Sequence, residues 1–328
     1  MNRKQPKIQK DGRETAGKSS DGSFPGYDGE VFLESETGRP DSRKCRFHIL
    51  PFPFEASVSY GGGTRRGPEA IIEASQQLEL YDGISFPGEA GIFTHPSVRV
   101  PEQEHPGDGD VQHCFEDAGN RVEQILQSSA IPVTLGGEHS ISYAPLQALK
   151  RHYSPRNIGI VQIDAHADLR LAYEGRVWSH ASVMRRLADQ GFPILQLGVR
   201  ALCREERDYR DSAENIVYYD ARELIEQDIR NIRLPEEFPE LLYLSIDLDG
   251  LDPSIMPATG TPVPGGLGWY QTLDLLASII AQRHVAGLDM VELAPMDQGH
   301  AWNYTAAQLL YSVLGLIQRL NPGKSEGL

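Results

Sequence analysis

Short, continuous apolar runs alternate with longer stretches of helical spacing along most of this chain. Runs of strand length occur at 46–52 (RFHILPF), 131–135 (IPVTL), 158–163 (IGIVQI), 194–200 (ILQLGVR), 216–220 (IVYYD), 241–247 (LLYLSID) and 285–293 (VAGLDMVEL). They are apolar throughout rather than every second residue, which is the mark of strands buried on both faces. Helical spacing falls between them: after Pro68, over 111–128, from Ser140 onward, over the stretch following His180, over 269–281 and over 301–320. A further short strand is expected near 98–100, inside an otherwise irregular Pro- and Gly-rich connection over 82–110. Strands alternating with helices predict a mainly parallel sheet covered on both faces. In such a sheet, ligands bind outside the carboxyl ends of the strands.

Composition narrows the class. Residues 1–44 are rich in Lys, Ser, Gly, Asp and Glu without a sustained period, and read as a disordered or loosely docked tail. The remainder, 45–328, is long enough for one large domain with a full core. A net charge of −15, spread along the chain, argues against a nucleic-acid surface. The three cysteines, Cys45, Cys114 and Cys203, are far apart and form no CxxC pair, so a thiolate metal site is not expected. No run approaches the length of a membrane span and no signal-peptide core precedes the domain, which predicts a cytoplasmic protein with no membrane partner. Three glycines at 61–63 beside Arg65 and Arg66 lack the P-loop spacing and read as a structural or substrate-rim loop.

The chemistry sits at the strand ends. IPVTL runs into GGEHS with His139, IGIVQI into DAHAD with Asp164, His166 and Asp168, LLYLSI into Asp247 and Asp249, and the last strand ends at Glu292. If DAHAD stays extended, its three ligand residues point the same way. Four aspartates and two histidines are too many for one tetrahedral zinc and suit a pair of divalent ions sharing carboxylates. Such ions lower the pKa of water and so generate a nucleophile.

GGEHS, DAHAD and SIDLDGLDPSIMPATGTPVPGGL resemble the three metal-binding motifs of the ureohydrolases, the arginase and agmatinase family, over residues 45–328. The resemblance implies an α/β/α sandwich, two divalent metal ions, preferentially Mn²⁺ with Ni²⁺, Co²⁺ or Zn²⁺ as alternatives, and hydrolysis of a small cationic guanidino substrate to urea and an amine. It implies that Asp164 and Asp247 bridge the ions, with His139 and Asp168 completing one shell and His166 and Asp249 the other. His180, in WSHAS, is then the proton shuttle, Glu292 grips the guanidinium and Thr261 lines the pocket, so that Asp168, His180 and Glu292 carry the catalysis. The family further implies a homo-oligomer, a trimer or hexamer.

Within that family the chain departs from arginases. Leu169 and Arg170 follow DAHAD where an asparagine-bearing loop would read the amino-acid end of arginine, and Ala201 follows Arg200 where an aspartate would meet the α-amino group. Bacterial and archaeal agmatinases are the nearer resemblance, which implies conversion of agmatine to putrescine and urea. The alternatives are guanidinobutyrate, guanidinopropionate, free guanidine or formimidoylglutamate as substrate, or a non-catalytic relative that binds metal or polyamine. Arg170 is the residue that would favour an acidic substrate if it turned inward.

Overall fold

The computed structural model describes residues 23–24, 29–103 and 106–321. After a one-turn helix α1 (Glu34–Thr37), strand β1 (Phe47–Phe52) opens the sheet and leads to α2 (Gly67–Ala74), with Pro68 in its first turn. Then come β2 (Ile92–Thr94), α3 (Asp108–Leu126), β3 (Ile131–Gly136), α4 (Tyr143–His152), β4 (Ile158–Ile163), α5 (Val183–Ala188) and β5 (Ile194–Leu197). The second half adds α6 (Arg204–Ser212), β6 (Ile216–Tyr219), α7 (Ala221–Glu226), β7 (Leu241–Asp247), α8 (Trp269–Ile280), β8 (His284–Val291) and α9 (His300–Leu320). The eight strands form one sheet in the order β2-β1-β3-β8-β7-β4-β5-β6. Every pairing is parallel.

Alternate strand residues feed opposite layers, as the two-residue side-chain period requires. Phe47 and Ile49 of β1, Val161 and Ile163 of β4, and Leu195 and Leu197 of β5 pack with Ile71 of α2, Leu275 of α8 and Leu309 of α9. Leu50 and Phe52 pack instead with Phe115 and Val122 of α3 and Ala144 of α4. Ile158, Ile160 and Ile194 meet Leu149 of α4 and Met184 of α5. The result is the expected three-layer α/β/α sandwich. Its helices follow the same logic: α3 starts with Asp108 and Asp110, favourable beside a helix N-terminus, and buries Val111, Phe115, Ala118, Val122 and Ile125 at helical spacing.

Three expectations change. Residues 98–100 form no strand; the edge strand is Ile92–Thr94. Beyond it Pro96 offers no N–H, and only His95 and Val98 donate single bonds, to Ile49 and Pro51 carbonyls. The reading of the stretch before residue 45 as a loose tail also changes for its described part. Residues 1–22 and 25–28 lie outside the described residues, but Val31, Phe32 and Leu33 are buried. The Phe32 and Leu33 amides donate to Thr94 Oγ1 and Ser75 Oγ, at 3.0 and 2.8 Å, which docks this part of the tail on the domain. Helix α6 carries few apolar residues and α7 spans only six positions, so neither shows an apolar stripe long enough to announce it.

Among the described residues no helix is long and apolar enough to cross a membrane.

Candidate active site

The third change concerns DAHAD. The strand stops at Ile163, the chain bends at Ala165 and Asp168 takes φ +55°, so the segment turns instead of staying extended. The turn separates the ligands into two groups. His139, Asp164 and Asp247 offer donor atoms within 4.8 Å of one another, and so do Asp164, His166 and Asp249, with Asp164 common to both. His139 Nδ1 lies 3.0 Å from Asp164 Oδ2, 2.9 Å from Asp168 Oδ2 and 3.3 Å from Asp247 Oδ2. His166 Nδ1 lies 3.0 Å from Asp249 Oδ2 and 3.6 Å from Asp164 Oδ1. All of this gathers because β3, β8, β7 and β4 are consecutive neighbours in the sheet and end on the same side.

Polar partners hold each group. Asp164 Oδ1 accepts the His166 amide at 2.6 Å, and Oδ2 accepts Gln162 Nε2 at 2.7 Å, with Gln162 in turn bonded by Gln196. Asp247 Oδ1 accepts the Asp249 amide, and Asp249 Oδ1 accepts the Ala165 amide. His139 Nε2 is 2.8 Å from Ser245 Oγ, which donates to buried Asp289 at 2.9 Å. Ser245 therefore accepts from Nε2–H, leaving the Nδ1 lone pair aimed at the carboxylates. Among the described residues Nδ1 has no partner in hydrogen-bonding geometry, although the atom is fully buried. A buried acceptor without a donor, facing three carboxylate oxygens, is what a cation completes.

The electrostatics point the same way. Burial drives Asp168 up to about 7, reinforced by Asp164, and lifts Asp247 well above the carboxylate range, reinforced by Asp249 and Asp164. Burial alone would lower both imidazoles, but the surrounding aspartates outweigh it, raising His139 strongly and His166 to about 12. Protons are thus drawn in to offset crowded negative charge, which cations held among these carboxylates would offset instead.

The cleft above these groups has a volume of about 350 Å³, open mouth included, with Val58, Ser59, Tyr60 and Gly61 along one wall. His180, Thr261 and Glu292 line it as well. The rim loop is held by the approach of Gly61 to Gly260, where the Gly61 amide donates to the Gly260 carbonyl at 3.2 Å. A Cβ at Gly61 would stand 2.9 Å from that oxygen. Arg65 and Arg66 donate to backbone carbonyls, so the glycine-rich loop forms no phosphate cradle. Thr261 Oγ1 reaches Asp249 Oδ2 at 3.4 Å. Glu292 holds φ +67° and accepts the His139 amide at 2.7 Å; burial, then nearby Glu138, pushes its carboxyl well up. Helix capping beside His180 falls to Ser179, whose side chain accepts the Ala181 amide. Burial lowers the His180 imidazole, against the opposing charge of Glu138.

Arg170 and Arg200 are committed elsewhere. Arg170 Nε sits 3.7 Å from Glu206 and its guanidinium stacks 4.9 Å over Tyr173. Arg200 donates to the carbonyls of Gly198, Asp249, Gly250, Leu251 and Val263 and pins the loop after Asp249. None of the described residues lining the cleft is a lysine or arginine. Sequence reasoning left Gln162, Gln196, Ser245, Asp289 and Ser57 without a role; only the polar residues within the apolar strands gave a signal, and Ser57 gave none.

A fully parallel α/β sandwich with histidine–aspartate groups at the ends of its central strands is an arrangement suited to metal-dependent hydrolysis. The chain belongs to the arginase family, which matches residues 45–315. It is 36% identical over 293 residues to the N(1)-aminopropylagmatine ureohydrolase of Synechocystis sp., covering 87% of this chain and 92% of that protein. It is 32% identical over 291 residues to the agmatinase of Pyrococcus horikoshii, covering 88% and 97%. The crystal structure of agmatine ureohydrolase of Thermoplasma volcanium superposes with a TM-score of 0.74 at 26% identity, covering 89% of this chain and 96% of that one. The protein is therefore a guanidino hydrolase of the arginase family.

Proposed function

We propose that this enzyme hydrolyses a guanidinium carried on a cationic amine tail, with agmatine the simplest such substrate, giving urea and putrescine. The observation that carries this reading is the lining of the cleft: acidic and neutral groups, with Arg170 and Arg200 both bonded away from it. A carboxylate tail, as in arginine or guanidinobutyrate, would enter without a charged partner, and an unpaired charged group costs at least ~1–3 kcal/mol on burial. A second reading, the N1-aminopropyl derivative of agmatine, is favoured by the 36% identity to relatives of that name.

In this reading His139, Asp164, His166, Asp168, Asp247 and Asp249 would hold two divalent ions. Oxygen-rich donors suit Mn²⁺. When bound, the ions supply a deprotonated water at neutral pH. Glu292 pairs with the planar guanidinium and orients its carbon toward the metal groups, with Thr261 beside it. His180 gives a proton to the departing nitrogen as that nitrogen takes the electron pair of the breaking C–N bond. Urea release over a panel of agmatine, N1-aminopropylagmatine, guanidinobutyrate, guanidinopropionate, guanidine, formimidoylglutamate and arginine tests the assignment. Highest kcat/KM on a cationic-tailed member supports it. Preference for an acid, or no turnover of any member with metal bound, overturns it.

A further inference from the structure

Glu138, the residue before His139, is fully buried, and all of its acceptor capacity is used. Oε2 accepts the amides of Ala56 and Ser57 at 2.7 and 2.6 Å, and Oε1 accepts the hydroxyls of Ser57 and Ser140 at 2.8 and 2.5 Å. A carboxylate only accepts, so the single hydroxyl proton of Ser57 points at Glu138. Ser57 Oγ is then left as an acceptor. Two donors from one residue meet it: the His180 amide at 3.1 Å and His180 Nδ1 at 3.0 Å.

We propose that Ser57, fixed by Glu138, is a positioning residue that selects the Nδ1–H tautomer of His180 and keeps its Nε2 as the proton-transferring atom in the cleft. The inference rests on the reading of His180 as proton donor to the leaving amine. The directions of the bonds carry the argument. With Ser57 unable to donate, Nδ1 must carry a hydrogen in both the neutral ring and the imidazolium. The exchangeable proton is therefore on Nε2. It moves to the leaving nitrogen as the C–N pair collapses there, while Nδ1–H stays on Ser57 throughout. Ring position is secured by the same atoms, since Ser57 binds the backbone and the side chain of His180 together. A single buried glutamate thus couples three segments: Ala56–Ser57, which lead into the cleft wall, the strand end that carries His139, and, through Ser57, the turn that carries His180. The chain is also buried where it matters, with Ser57 only 6% exposed.

The test compares Ser57→Ala, Ser57→Thr, His180→Ala and the Ser57→Ala/His180→Ala double variant, all metal-loaded and assayed on the best substrate of the panel. Ser57→Ala is expected to keep its metal and KM while kcat falls about 10–100-fold, the usual size of losing a buried orienting partner. Ser57→Thr, which keeps the hydroxyl, should recover activity, and the double variant should be no slower than His180→Ala. Nitrogen-15 NMR of histidine-labelled, Zn²⁺-loaded wild type should show His180 protonated at Nδ1, a readout that stands even if Ser57→Ala fails to fold. Unchanged kcat in Ser57→Ala, losses that multiply in the double variant, or an Nε2–H tautomer in wild type would overturn the proposal. If His180→Ala itself retains full kcat, the proton-donor reading falls; if only Ser57→Ala does, that reading stands and this inference alone falls.

Discussion

His139 and Ser245 meet at 2.8 Å through Nε2 and Oγ, with His139 just after β3 and Ser245 on β7, the strand beyond β8 in the sheet. Because Ser245 passes its own proton to Asp289, the contact fixes which imidazole nitrogen faces the aspartates. Ser245→Ala leaves Nε2–H and Asp289 without their shared partner. It is expected to weaken metal affinity about 10–100-fold with the sheet intact, as loss of a ligand's outer hydrogen bond usually does. Competitive metal titration with a fluorescent chelator checks this, and unchanged affinity would mean that Ser245 merely fills space.

Asp164 faces both groups, with Oδ2 toward His139 and Oδ1 toward His166. Asp164→Asn should therefore cost both ions and nearly all turnover. Asp249→Asn, at a residue whose Oδ2 faces His166 and Thr261 and which belongs to one group alone, should cost one ion first. Elemental analysis after reconstitution separates these cases; an Asp164→Asn protein with two ions and full activity would refute the paired site.

Arg170 is turned to Glu206 and Tyr173. Arg170→Ala should leave the preference for agmatine over guanidinobutyrate unchanged, with arginine a negligible substrate. Ratios of kcat/KM on the three compounds measure it. A strong guanidinobutyrate activity that vanishes in Arg170→Ala would show that the arginine swings into the cleft.

His95 is buried between Phe24 and Phe93, with its Nε2 3.0 Å from His48 Nδ1. Burial, then the charges available on His48 and Arg121, holds its pKa well below the usual 6.5. A depressed folded value means that the associated stability is present above 6.5 and is lost as pH falls through the folded value. The unfolding free energy of the metal-loaded protein, read from denaturation curves, should fall on acidification below 6.5, by up to about 1.4 kcal/mol per pH unit from this group. His95→Gln should flatten the slope. An identical slope in the variant would assign the acid loss to other residues.

The sequence by itself determined the layer order. Continuous apolar runs such as IGIVQI and LLYLSID could be buried only in a doubly covered sheet, and the ligand-bearing motifs follow directly from three such runs. Local information sufficed there because strand formation and the residue after a strand end are neighbours in the chain. The edge strand at Ile92–Thr94 and the docking of Phe32 and Leu33 were different: both depend on what β1 and α2 offer across space, and short segments with little periodicity carry no such signal. The same holds within the site. That Asp164, His166, Asp168 and His139 are chemically suited to metal was legible from residue type and spacing. That the chain bends at Asp168, that Ser245 reaches His139 from another strand, and that Ser57 meets His180 across 123 positions of sequence were decided by the tertiary structure, because a hydrogen bond's direction is fixed only when both of its partners are brought into place.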